Sequence, residues 1–245
     1  MGKGIIFFSV ILLFPLPFII MLIFVHGMWC DGSVWGRYIK YFEERGFKCV
    51  APDLNEGLDM KRARFEDYVR KIERMVGEND VIIGHSLGGL VVQKVAERRK
   101  IKGGIAICPA PPKGIKFKSS LLLHSVKFLP KIALKKPFKA DARLVKKMLA
   151  NCVEGDKIEK IVPELKFFPP IPAYEISMNK IGVDERKIAS PFLFIATSHD
   201  RASPPEMVER IARKYGAEFV LKEGCHWIFD NDEIMEEISL SLIHI

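Results

Sequence analysis

Residues 81–92 constrain the fold more than any other part of this chain. They begin as an apolar run, pass through Gly-His-Ser-Leu-Gly at positions 84–88, and continue into a stretch compatible with a helix. A serine at such a strand-to-helix turn takes strained backbone angles, and the flanking glycines let neighbouring backbone approach. We therefore predict that Ser86 occupies a nucleophile elbow, with its hydroxyl clear of a sheet.

Two backbone N–H groups are candidates for binding an oxyanion near this serine. The helix after Ser86 would point its amino end at the reaction centre, which makes the N–H of Leu87 available. An apolar run at residues 21–25 ends in His26 and Gly27, and a strand that ends this way can turn an N–H toward the serine. We assign that second donor to Met28.

A serine hydroxyl needs a base to take its proton and an acid to orient the base. The apolar run at residues 191–196 leads to Asp200, and the run at residues 219–221 leads to His226 in the loop that follows. We predict Asp200 as the orienting carboxylate and His226 as the general base.

With these residues the chain resembles the serine α/β-hydrolases, whose triads follow the order Ser, Asp, His. It is most similar to the compact branch that includes plant methylesterases and hydroxynitrile lyases, with Trp35 after the His-Gly pair and a Pro-Asp turn at residues 52–53. The resemblance covers residues 21–237. It implies an α/β-hydrolase fold, a mostly parallel sheet flanked by helices, with a helical cap inserted before the acid-bearing strand. At residues 55–57, Asn-Glu-Gly replaces the family's frequent Gly-His-Gly, which leaves the substrate subclass open.

Length and pattern indicate one α/β domain carrying a cap. The 245 residues suit a single α/β sheet protein. We assign residues 21–112 and 188–239 to the core and residues 113–187 to the cap. Apolar residues at helical spacing predict two amphipathic cap helices; they are Leu122, Val126, Leu129 and Ala133, and Val145, Met148, Leu149 and Cys152.

The positive charge of the chain is concentrated in the cap. Residues 113–187 hold 17 Lys plus Arg against 8 Asp plus Glu, a balance of +9, while the rest of the chain has 21 against 22. Such a cap can attract an anionic membrane surface or acidic substrates. The alternative is a solvated lysine-rich face. We do not expect nucleic acid as a partner, since no recognised binding module accompanies the charge.

Residues 1–20 read as a non-native or anchor-like extension. Together with the strand that follows, their apolar part is long enough for a membrane span. Pro15 and Pro17 interrupt it, however, and the strand is needed in the fold. We expect translation to begin at Met21 and the protein to be cytoplasmic; the alternative is a membrane anchor through residues 5–20.

Residues 240–245 resemble the translation of a transposon end used in sequencing libraries. We assign them to an adapter-derived tail and give His244 no functional weight.

Cysteines and the remaining histidines give no sign of a metal or a disulfide framework. The five cysteines are an odd number at unpatterned spacing, which favours a reducing compartment. Cys225, beside the predicted base, is expected to be a free, buried thiol. His26 and His85 are expected to shape the oxyanion loop and the elbow, and His199 to point away from Asp200. No zinc-ligand spacing is present.

The sequence therefore predicts a serine hydrolase that cleaves a small-molecule or lipid ester, or a thioester, through an acyl-enzyme and without a cofactor. Ser86 excludes the relatives with an aspartate nucleophile, as far as the resemblance holds. The open alternatives are acyl transfer, perhydrolysis or carbon–carbon bond hydrolysis by the same triad, a catalytically weak ligand receptor, and a membrane-anchored scaffold. The sequence leaves the oligomeric state open.

Overall fold

A six-stranded sheet forms the centre of the computed structural model, which describes residues 20–116 and 126–244. The strands are β1 (Met21–Val25), β2 (Lys48–Val50), β3 (Val81–His85), β4 (Gly103–Ile107), β5 (Phe192–Thr197) and β6 (Glu218–Lys222). Their order is β2-β1-β3-β4-β5-β6, and each neighbouring pair is parallel. The predicted α/β fold with a mostly parallel sheet is confirmed.

Helices flank this sheet and form the cap. Those of the described residues are α1 (Gly36–Glu43), α2 (Phe65–Glu73), α3 (Leu87–Arg98), α4 (Leu129–Ala133), α5 (Ala142–Leu144), α6 (Gly155–Glu164), α7 (Pro170–Ser177), α8 (Pro205–Tyr215) and α9 (Asp232–His244). Helix α5 continues as a π-helical turn over Val145–Leu149, and short 3-10 turns occupy Gly32–Trp35, Val126–Phe128 and Glu185–Lys187.

The sequence pattern of the strands explains the sheet. Strands β3, β4 and β5 are buried along their whole length, so both of their faces require apolar side chains. Parallel neighbours need long crossover connections, which the helices supply. Because all six strands run the same way, their carboxyl ends meet at one edge of the sheet, where the loops after β1, β3, β5 and β6 converge.

The cap packs on this edge through backbone contacts as well as side chains. Phe138 and Phe168 form an antiparallel bridge within the cap, with N–H to O distances of 3.1 and 2.9 Å. The N–H of Lys166 donates to the carbonyl of Trp29, 2.7 Å away, in the loop after β1. The cap is therefore hydrogen bonded directly to the loop that carries the predicted oxyanion donor.

The two predicted cap helices differ in which way their apolar side chains face. Val145 and Met148 are buried, as amphipathic packing requires. Val126 and Leu129, by contrast, are half exposed, and Leu122 lies outside the described residues. Helical spacing therefore identified an apolar stripe at residues 126–133, but that stripe faces outward.

The structure bears only in part on the expectations about the two ends of the chain. Residues 1–19, on which the start at Met21 and the anchor depend, lie outside the described residues. Within residues 20–116 and 126–244, no helix has both the length and the apolarity to cross a membrane. At the other end, α9 runs on to residue 244, and Leu242 is buried against the core.

The expectation of a free Cys225 is wrong, because this residue forms a disulfide with Cys152. The two Cα atoms are 5.6 Å apart, within the range that a disulfide requires. The residues are separated by 73 positions in sequence, and the cap brings them together only when it folds over the loop after β6. Spacing along the chain could not show this pairing. The other three cysteines are free.

We expect the disulfide to stabilise the fold, since it closes a long loop in the unfolded chain. Cys152→Ser, or reduction, should lower the free energy of unfolding by about 2–4 kcal/mol, measured by thermal or denaturant unfolding. Cys49→Ser is the matched control, because Cys49 is free and only half buried, and it should leave the effect of a reductant unchanged. Alkylation of the denatured, unreduced protein should modify Cys30, Cys49 and Cys108 alone; modification of all five cysteines would contradict the bond.

Candidate active site

Ser86 stands between β3 and α3 with φ 54° and ψ −117°. This is a left-handed backbone conformation that costs a residue with a side chain free energy, so the surrounding structure must hold it. The strain points the side chain above the sheet edge and starts α3 immediately after it. Leu87 is the first residue of that helix, and its N–H is among those an α-helix leaves without an intrahelical acceptor.

The glycines on either side of this turn are required by close backbone contacts. A Cβ at Gly84 would lie 2.3 Å from the carbonyl oxygen of Gly88. A Cβ at Gly88 would lie 2.1 Å from the carbonyl oxygen of Val25, at the end of β1. Neither position can accept a side chain without moving backbone. The sequence pattern around the serine thus has a steric origin.

The structure brings the three predicted triad side chains within hydrogen-bonding distance of one another. Nε2 of His226 lies 2.9 Å from Oγ of Ser86, and Nδ1 lies 2.7 Å from Oδ2 of Asp200. An ionised carboxylate can only accept, so Nδ1 carries the proton and Nε2 is left to accept the serine hydroxyl. His226 and Asp200 are both buried. This geometry can activate the serine as a nucleophile.

Asp200 is fixed by its own turn at the end of β5. Its Oδ1 accepts from the N–H groups of Ala202 and Ser203, both at 2.7 Å. The other oxygen is thereby aimed at His226. His199, its neighbour, turns away: its ring pairs with Glu223 at 2.8 Å and is exposed.

His85 contacts the predicted base, His226, through its ring and through a hydrogen bond. Its Nε2–H donates to the backbone carbonyl of His226 at 2.9 Å, and the two rings have centroids 4.7 Å apart. Burial lowers the pKa of His85 well below its usual value, so the ring stays neutral and Nε2–H stays its donor. Phe229 packs edge-on against the same ring. His85 therefore supports the loop after β6.

His26 fixes the loop that carries the predicted oxyanion donor. Its Nδ1–H donates to the carbonyl of Gly27 at 2.8 Å, and its Nε2 accepts from the N–H of Leu54 at 2.9 Å. A Cβ at Gly27 would lie 3.1 Å from Cβ of Ser86, so the loop runs against the serine. Met28 follows in the wall of the same pocket as Ser86. The oxyanion roles of Met28 and Leu87 stay predictions.

The π-helical turn of the cap clamps the loops after β5 and β6, a feature that sequence reasoning missed. The carbonyl of Leu149 accepts from the N–H of Trp227 at 2.7 Å, next to the predicted base. Asn151 donates from Nδ2 to the carbonyl of His199 at 3.0 Å, next to the predicted acid. One residue further along, Cys152 is bonded to Cys225. No local sequence signal marks these contacts.

Cys108 is a second missed neighbour of the site. Ligand atoms of Cys108, Asp200 and His226 lie within 4.8 Å of one another. Burial raises the pKa of the Cys108 thiol well above its usual value, which keeps it protonated, whereas a metal binds the thiolate. The hydrogen bond between Asp200 and His226 also occupies two of these groups. The trio suits an acid–base pair with a thiol beside it better than a metal centre.

A pocket of about 790 Å³, its open mouth included, lies directly above Ser86. Its polar side chains are Ser86, His85, His226 and two further serines. Among the described residues, no Asp, Glu, Lys or Arg lines it. Its larger apolar side chains are Met28, Trp29, Leu149, Leu165, Ile176, Trp227 and Phe229. The end of β3 and the loops of the core supply most of the polar lining, and the cap supplies Leu149, Leu165 and Ile176 of the apolar wall.

Comparisons with known proteins agree with the α/β fold. The model of the Alpha/beta hydrolase family matches residues 22–237. No curated protein sequence matches the chain. Solved structures similar to it have identities of 20% or below, and they show the fold alone.

An extracellular alpha/beta-hydrolase from a Paenibacillus species aligns with a TM-score of 0.74 and 17% identity, covering 91% of this chain and 98% of that chain. It is described as sharing structural and functional homology with tobacco salicylic acid binding protein 2. A methylesterase from Arabidopsis aligns with a TM-score of 0.71 and 15% identity, covering 92% and 100%. A lipase-esterase related protein from Clostridium acetobutylicum aligns with a TM-score of 0.71 and 20% identity, covering 90% and 93%.

We expect a fluorophosphonate probe, which reacts with activated serines, to label Ser86. Ser86→Ala should abolish labelling, and Asp200→Asn should slow it by on the order of 10⁴-fold, because the wrong imidazole tautomer would face the serine. Ser198→Ala is the matched control, since this serine lies near Asp200 but hydrogen bonds to Glu223. Labelling of the Ser86→Ala protein at the parent rate would overturn the assignment.

Proposed function

Because this chain belongs to the alpha/beta hydrolase family, we propose that it is a serine esterase that cleaves a carboxylic ester or thioester through an acyl-enzyme. The observation that carries the proposal is the unbroken chain of hydrogen bonds from Asp200 through His226 to Ser86. The family match supports a hydrolase, and these hydrogen bonds support Ser86 as the nucleophile and His226 as its base.

The proposed reaction has two half-reactions. The oxygen of Ser86 attacks the ester carbonyl while His226 takes its proton, and the N–H groups of Met28 and Leu87 stabilise the oxyanion. His226 then gives the proton to the leaving alcohol or thiol, which departs as the acyl-enzyme forms. Water attacks next, His226 removes one proton from it, and the acid leaves as Ser86 recovers its proton. Asp200 stays ionised and balances the charge of the imidazolium.

The lining of the pocket supports a substrate whose acyl or alcohol group, bound beside Ser86, is uncharged. Its lining offers apolar surface and hydroxyl groups, with no charged side chain among the described residues to pair with a charged group. Burying an unpaired charge there would cost far more free energy than burying a neutral chain. The names of similar structures, a methylesterase and a lipase-esterase related protein, support the ester class.

The cytoplasmic location expected from the sequence stays a prediction. The bond between Cys152 and Cys225 favours an oxidising compartment instead, because disulfides persist there and are rare in reducing ones. One similar structure is of an extracellular protein.

A panel of neutral esters of increasing acyl length tests the proposed activity. We expect turnover to continue through many cycles, whereas a ligand receptor would stop after a single slow burst of product. Adding a carboxylate to the acyl chain should lower kcat/KM by at least about tenfold, because that charge would be buried unpaired.

The pocket variant for the same panel is Ile176→Trp, since Ile176 is buried in the pocket wall. A larger side chain should shorten the longest acyl chain accepted and leave acetate esters nearly as good as before. Equal loss on all chain lengths would show that acyl groups bind elsewhere, and absence of turnover on every ester would refute the esterase.

A further inference from the structure

The segment at residues 126–134 turns an apolar face toward solvent. Val126 is 52% exposed, Leu129 52% and Leu134 66%, and Pro130 and Ala133 are exposed as well. These five positions have the spacing i, i+3, i+4, i+7 and i+8 of one helical face. A cap helix ordinarily buries such a face against the core. Here the apolar face is continuous and points outward.

Four lysines lie in this segment or directly after it. Lys127, Lys131 and Lys135 follow one another at intervals of four, and Lys136 comes next; all four are exposed. Lys127 is paired with Asp141. No ion pair among the described residues neutralises the other three. The segment thus combines apolar side chains with several cations on the same outward surface.

The inner side of the same segment rests on the pocket. The ring of Phe128 stacks on Phe138 at 4.6 Å and lies 6.2 Å from the ring of Trp29. Trp29 lines the pocket beside the predicted oxyanion donor. These aromatic contacts connect the segment to the wall of the pocket.

We propose that residues 126–136 form a docking surface for an anionic lipid membrane, which presents lipid-borne esters to the pocket. A segment with an apolar face and adjacent lysines lies in the plane of a membrane, where its side chains enter the acyl region and its cations meet anionic headgroups. The cap's balance of +9, against −1 for the rest of the chain, orients that face toward the membrane. The part concerning substrate supply rests on the proposed esterase function.

The charge pattern selects a lipid surface over other occupants. A soluble acidic partner would explain the lysines, but it would not require an apolar face beside them. A purely apolar partner would leave the lysines without counter-charges. An anionic bilayer satisfies both groups at once, and it accepts them without a matched shape.

Vesicle co-sedimentation of the full chain carrying Ser86→Ala tests the surface, because binding is then measured without turnover. The probes are vesicles of phosphatidylcholine alone and of phosphatidylcholine mixed with phosphatidylglycerol. We expect binding to the anionic vesicles that weakens as salt rises through 0.1 M, where the screening length is about 10 Å. Replacing Lys131, Lys135 and Lys136, the three lysines without an ion pair among the described residues, by Gln should weaken it by on the order of 100-fold, since each lysine near such a surface contributes about one kcal/mol.

A second variant, Leu129→Asp with Leu134→Asp, should also weaken binding to anionic vesicles, through the apolar face rather than the cations. The charge-matched control replaces the exposed Lys40, Lys48 and Lys100 of the core by Gln, and it should bind nearly as the parent does. In the background with Ser86 intact, all three variants should hydrolyse a small soluble ester at the parent rate. The two cap variants alone should lose activity on an ester carried in anionic vesicles.

Several outcomes would overturn the docking surface. One is equal binding to both kinds of vesicle, which would place membrane affinity in the apolar residues 5–20 instead. Another is an equal loss of vesicle binding in the core control variant, which would show that the net charge of the protein, and not the cap segment, causes the binding. A third is parent-like binding by both cap variants. If vesicles bind as expected but no ester is turned over, the docking surface stands and the proposed esterase function fails.

Discussion

The close packing of α3 against the end of β1 is the constraint on which the site depends. A side chain at Gly88 would meet the carbonyl of Val25 at 2.1 Å, so that any larger residue would push α3 away from the sheet. Ser86 and the N–H of Leu87 would move with the helix. Because β1 leads directly into the loop of Met28, the same contact also sets the distance from the serine to the second predicted oxyanion donor. One backbone contact therefore fixes three parts of the site.

The predicted base is held in a different way from the predicted nucleophile. Ser86 owes its position to backbone strain, which its own strand and helix impose. His226 lies in a loop of irregular structure and depends on contacts from other elements. Asp200 holds its ring, His85 holds its carbonyl, and the cap holds the residue on each side of it through Cys152 and Leu149. The orientation of His226 thus depends on the folded cap as well as on the core.

This difference explains how much the sequence could predict. The elbow at Ser86 and the loops of Asp200 and His226 follow from local rules, since apolar runs predict strands and parallel strands bring their ends to one edge. The disulfide of Cys225 depends on a contact across 73 positions, which no local pattern encodes. The stripe at residues 126–133 was predicted as an apolar face, but periodicity gives the existence of a face and not its direction.

The cap is therefore bonded to the core rather than separate from it, and it has two sides of interest: one lines the pocket, and the other carries the proposed docking surface at residues 126–136. Its inner side supplies apolar pocket residues such as Leu165, and its backbone is bonded to the loops after β1 and β6. A swing of the whole cap would break the hydrogen bond between Lys166 and Trp29 and strain the link through Cys152. Small movements of side chains such as Phe128 would leave both this hydrogen bond and the disulfide intact. A membrane surface in contact with residues 126–136 would meet the cap next to Phe128, so docking and substrate entry can share one place in the fold.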